Sequence, residues 1–149
     1  MNILPITLTT AGLAALINLW LSIRIGRTRT KEQIMVGDGG NDALIRRMRA
    51  QANFIEYTPI VLILIGLIEM AAGTSTWLWA VGLVYMAGRI AHGIGMDGNM
   101  RARGAGTGTS LLSMLGLGLY ALFIAYSFNG APQAPTSADV DNAEIVPQG

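Results

Sequence analysis

Four runs of apolar residues, each close to the length needed to cross a lipid bilayer, constrain this chain more than any other feature. They are Leu4 to Ile23, Ile55 to Ala72, Trp77 to Ile94 and Ser110 to Phe128. A hydrocarbon core of about 30 Å takes roughly 20 apolar residues of helix to span. Backbone groups in lipid must be satisfied within the segment, which four such runs achieve as helices. Composition agrees, because 52% of the 149 residues are hydrophobic, only 13% are charged and the mean hydropathy is +0.47. That is too apolar for an ordinary soluble domain. The expectation is an all-α integral membrane four-helix bundle. It forms one domain over residues 1–128, with spans at about 4–23, 45–72, 77–95 and 107–128. Residues 129–149 are rich in Ala, Pro, Asp and Gln with almost no large apolar group, so a disordered tail is expected there.

Charge orients these spans. No basic residue precedes Leu4, whereas Arg24, Arg27, Arg29 and Lys31 follow Ile23, the reverse of a secretory signal. The first run is therefore read as a retained helix. All ten Lys and Arg residues lie between Arg24 and Arg49, at Arg89, or at Arg101 and Arg103. Cytoplasmic loops carry the basic excess, so the connections after the first and third spans face the cytoplasm and both termini face away from it. Trp77 and Trp79, at the start of the third span, fit an aromatic belt on the non-cytoplasmic side. With no cysteine in the chain, any thiol chemistry must come from a ligand.

Three local patterns read as structural. The run Gly37-Asp38-Gly39-Gly40-Asn41-Asp42 alternates carboxylates with glycines, but lacks the oxygen ligands and distal Glu of a calcium loop. A tight turn with Asn41 or Asp42 capping the second helix is expected instead. Asn18, deep in the first span, calls for an interhelical hydrogen bond. Ala105, Thr109 and Ser113, at four-residue spacing, would let another helix approach the fourth.

Two polar stripes carry the chemistry. On the second helix Arg46, Arg49, Asn53 and Glu56 are spaced by three, four and three, and so share one face. On the third, Tyr85, Arg89, His92 and Met96 do the same. At 1.5 Å per residue Glu56 lies about 10 Å beyond Arg49, and Arg89 about 10 Å short of the helix end near Gly95, so antiparallel helices bring both charges to similar depth. A Glu56 to Arg89 ion pair is the plain structural reading, since buried charges are normally paired. Arg46, Arg49, Asn53 and His92 exceed what one pair needs, which favours a polar pocket open to the cytoplasm.

The run Arg49-Ala50-Gln51-Ala52-Asn53-Phe54-Ile55-Glu56-Tyr57-Thr58-Pro59 resembles the second-helix signature of the MAPEG family, the membrane-associated proteins of eicosanoid and glutathione metabolism. Gly88-Arg89-Ile90-Ala91-His92 resembles the matching third-helix segment. The likeness is to a bacterial-type member similar to the microsomal glutathione transferases and microsomal prostaglandin E synthases. It implies a multi-pass protein of a bacterial inner membrane, built as a homotrimer that holds glutathione between subunits near the cytoplasmic face. Arg24, Arg49, Asn53, Glu56, Tyr57, Arg89 and His92 match family positions that hold the tripeptide. Glutathione carries two carboxylates and an ammonium. Arginines clamp the former, while Glu56 would pair the ammonium or one of the arginines.

In the family an arginine at the cytoplasmic start of the fourth helix activates the thiol by lowering its pKa. Alignment puts Arg101 or Arg103 near that site, with Ala105 where the prostaglandin synthases carry their key arginine and Met96 where many members have tyrosine. The resemblance implies a membrane glutathione transferase, or a glutathione-dependent peroxidase, acting on a lipophilic second substrate from the membrane lipid. The alternative within the family is a non-catalytic lipid-binding or scaffold protein. A small drug exporter would place a carboxylate in the first span, which has none. Neither a metal nor nucleic acid is expected as a partner.

Overall fold

The computed structural model describes residues 3–129, and for the last two of these only the backbone. Four helices follow in order: α1 Pro5–Glu32, α2 Asp42–Ala72, α3 Thr76–Gly95 and α4 Met100–Asn129. The expected tail lies outside the described residues from position 130 on. Three helices, α1, α2 and α4, are long and apolar enough to cross a membrane. Arg89 and His92 lower the hydropathy of α3, yet its 20 residues pack against all three others. A helix shielded by neighbours needs fewer apolar residues than one facing lipid on all sides.

Helix ends differ from the apolar runs. α1 continues nine residues past Ile23, and α4 begins at Met100 instead of near 107. Hydropathy marks where lipid ends, whereas the helix persists as long as its backbone bonds and packing do. α1 stops at Gln33, which adopts a left-handed conformation (φ 56°). Arg29 then donates to the Gly37 carbonyl at 2.7 Å, and Asp38 Oδ1 accepts from the Gly40 amide at 2.9 Å. The Asn41 side chain accepts from the Leu44 amide at 3.0 Å, capping α2 as expected.

α3 packs most closely on α4 and α1 on α2, while among the described residues the α1 and α4 backbones make no close approach. Glycines allow the tightest approaches. A Cβ at Gly95 would fall 2.2 Å from the Arg103 backbone nitrogen, and one at Gly106 2.5 Å from the Gly88 carbonyl oxygen. Thr109 packs against Gly88, as the small-residue spacing implied, but Ala105 is exposed, and Gly106 and Ser110 complete the contact row instead. Between α1 and α2, Gln51 Nε2 donates to Asn18 Oδ1 at 3.2 Å, the interhelical bond expected for Asn18. The core centres on Ile6, Ile17, Leu21, Val61, Ile65 and Leu78. Outward faces expose Leu8, Leu16, Ile63, Leu112, Leu119 and Leu122, an apolar surface that water would not tolerate and lipid does.

Candidate functional site

Arg89 is the hinge of the candidate site. Only 1% of it is exposed. Nη1 donates to Ser110 Oγ on α4 and Nη2 to Asn53 Oδ1 on α2, both at 2.8 Å, and the guanidinium sits 5.6 Å from the Phe54 ring. Its Nε has no partner. Ser110 in turn donates to the Gly106 carbonyl at 2.9 Å, so one arginine ties three helices together. The Glu56 to Arg89 ion pair, the plain alternative to a polar pocket, is not formed. Glu56 is exposed, and among the described residues no carboxylate lies within ion-pairing distance of Arg89. The reason is angular, because Asn53 points its side chain inward toward α3 while Glu56, three residues on, has rotated to the outer surface. Arg89 therefore keeps its positive charge beneath the α2 face with only neutral acceptors and an aromatic ring around it.

The other expected site residues fall into groups. Arg46, Arg49 and Glu56 are exposed on α2, with Asn53 and Tyr57 half-buried beside them. Glu56 lies sixteen residues before Ala72, about 24 Å along the helix, and so within a hydrocarbon core measured from that end. His92 is buried, with Nδ1 3.2 Å from Thr107 Oγ1. Thr107 donates to the Arg103 carbonyl at 3.0 Å, so its oxygen is the acceptor for an Nδ1 proton on His92. Arg101 and Arg103 are exposed in the first turn of α4. Arg24 stands apart from this group. It pairs with Asp97, donates from Nη1 to the Gly93 carbonyl at 2.8 Å, and lies over Trp20 at 4.7 Å.

Several contributors were invisible in the sequence. Asp97, in the connection between α3 and α4, binds Arg24 of α1 and, at 3.3 Å, Arg47 of α2. Arg47 also donates to Thr28 Oγ1. Asp97 thus fastens three helix ends at the basic side. As the one acidic residue between Arg89 and Arg101, Asp97 was the available signal. Ser110 was one residue off the small-residue spacing. Tyr85, on the expected α3 stripe, is fully buried with its hydroxyl 3.1 Å from Thr58 Oγ1. Met96 is buried at the end of α3.

Four helices, apolar outer faces and charged residues held inside a membrane-length segment define a multi-pass integral membrane protein. The chain belongs to the MAPEG family, whose model matches residues 7–123. It is similar to the inner membrane protein YecN of Escherichia coli strain K12, 36% identical over 83 residues that make up 55% of this chain and 63% of that relative. The same figures hold for inner membrane protein YecN of Escherichia coli O6:H1 strain CFT073. The match thus spans less than two thirds of the length of these relatives.

Proposed function

We propose that this chain is a membrane glutathione transferase, able also to reduce hydroperoxides with glutathione, that takes the tripeptide between neighbouring subunits of a homotrimer. One observation carries the reading. α2 presents Glu56 outward at membrane depth and Arg49 outward nearer its basic end, on either side of Asn53, itself bonded to a buried arginine. A charged residue facing lipid is costly and calls for a partner or a polar cavity. Another copy of the chain would supply that cover, and a zwitterionic, carboxylate-bearing peptide would satisfy the charges between them.

In this reading Arg49 clamps a ligand carboxylate and Glu56 takes the ammonium. Tyr57 and His92 line the peptide, with His92 oriented by Thr107. Arg24 would join only by releasing Asp97. The basic connections orient the chain with both termini outside the cytoplasm, so cytoplasmic glutathione would approach the positive end of the bundle. Arg101 or Arg103 lowers the thiol pKa and holds the thiolate. The thiolate sulfur attacks an electrophilic carbon of a lipophilic substrate arriving from the bilayer, forming a thioether as the leaving group departs with its electron pair. With a hydroperoxide, the thiolate takes the distal oxygen, alcohol is released, and a second glutathione yields water and the disulfide.

The test is a thermal shift on the purified protein. Millimolar glutathione should raise the melting temperature, as any ligand of the native state does, and Arg49→Ala should abolish the rise. No shift in the unaltered protein would sink the reading. Lipid binding without turnover has one observation of its own, an apolar groove of about 560 Å³ between α3 and α4, lined by Val84, Leu112, Leu117 and Tyr120. Ultraviolet absorbance of the thiolate separates the two. Transferase chemistry requires a lowered thiol pKa that is lost when Arg101 and Arg103 are both replaced.

A further inference from the structure

We infer that Arg89 is not a ligand clamp but a positioning residue, which fixes the Asn53 amide with its oxygen turned to Arg89 and its NH₂ group left to donate to the ligand. The inference rests on the glutathione reading and names the group recognised at one point of that site. Arg89 is only 1% exposed and turns its terminal nitrogens to Ser110 and Asn53, so even its unpartnered Nε is enclosed by the bundle and not presented to a ligand. Arginine has donors only. The atom of Asn53 that faces it at 2.8 Å must therefore be the oxygen, which decides the orientation of an amide whose two ends are otherwise hard to tell apart.

The end of the Asn53 amide not bound to Arg89 is its NH₂ group. Among the described residues Nδ2 makes no hydrogen bond, and it is not among the buried atoms left without a partner. It is thus an accessible donor on a half-buried residue. Arg49, one turn earlier on the same face, is also donor-only and exposed. Two donors a helical turn apart, above an uncompensated buried guanidinium, select a carboxylate. The acceptor-only Glu56, three residues on, marks the opposite polarity.

Asn53→Asp separates this role from a structural one. A carboxylate at position 53 keeps, and strengthens by charge, the bond to Arg89, but turns the outward donor into an acceptor. The expected result, from isothermal titration of the full chain with glutathione, is an unchanged or raised melting temperature without ligand and affinity lower by about tenfold or more. Arg89→Gln retains an amide donor for the Asn53 oxygen and should keep more affinity than Arg89→Met, which leaves the amide free to turn. Equal affinity for the Asn53→Asp variant and the unaltered protein, or for the Gln and Met variants, overturns the inference while leaving glutathione binding intact. Absence of binding to the unaltered protein overturns both.

Discussion

Glu69 shows how much a single side chain does at the non-basic end of the bundle. Its carboxylate accepts from the Ile6 amide at 3.0 Å, the Thr7 amide at 2.8 Å, the Thr7 hydroxyl at 2.7 Å and the Thr74 hydroxyl at 3.0 Å. It caps α1 from the last turn of α2, satisfying orphan amides and the positive end of the helix dipole together. Glu69→Ala should lower stability by about 2 kcal/mol or more, because it strands buried amides, and Glu69→Gln should cost less. Denaturation in mixed detergent micelles would measure both. Asn18 and Asn41 were legible in the sequence, since a polar residue within an apolar run or before a helix has few roles. Glu69 was not, because its partners on α1 lie more than sixty residues away.

Among elements, the α3–α4 pair decides where the site residues sit. Its approach depends on Gly88, Gly95 and Gly106, so Gly106→Ala or Gly95→Ala must push backbone against backbone. Each should cost about 1–3 kcal/mol and also weaken glutathione binding, since Arg89, Ser110 and His92 all span that seam. Gly104→Ala and Gly108→Ala are the controls. A Cβ there meets nothing within 4 Å, so stability should stay level or rise by up to about 1 kcal/mol from helix propensity. Asp97→Ala, releasing Arg24 and Arg47, should speed amide exchange from Met96 to Arg103 with only a small loss of global stability, because the carboxylate is 43% exposed. Unchanged exchange there would show that Asp97 does not hold the connection.

At the scale of the whole molecule, the prediction concerns sidedness and assembly. The chain has no native cysteine, so a single introduced one reports its own accessibility. A cysteine replacing exposed Val36 should react with a membrane-impermeant reagent only from the cytoplasmic side, and one replacing exposed Thr76 only from the other. The opposite labelling would invert the topology. In mild detergent the mass should correspond to three chains, with Glu56 at their contact. A monomer that still binds glutathione would remove the reason given for its exposure.

Apolar run length and charge bias are local quantities, set by the transfer of each residue between water and lipid. They were enough to establish an all-helical membrane protein, its four helices and the polar faces of α2 and α3. Which polar groups meet is a matter of rotation about each helix axis and of how closely two axes approach, and neither is written in spacing alone. Thus Arg89 and Glu56, level in depth, looked like an ion pair. Only the packed bundle turned Asn53 inward to Arg89 and Glu56 outward, used glycines to bring Ser110 to the same guanidinium, and diverted Arg24 to Asp97.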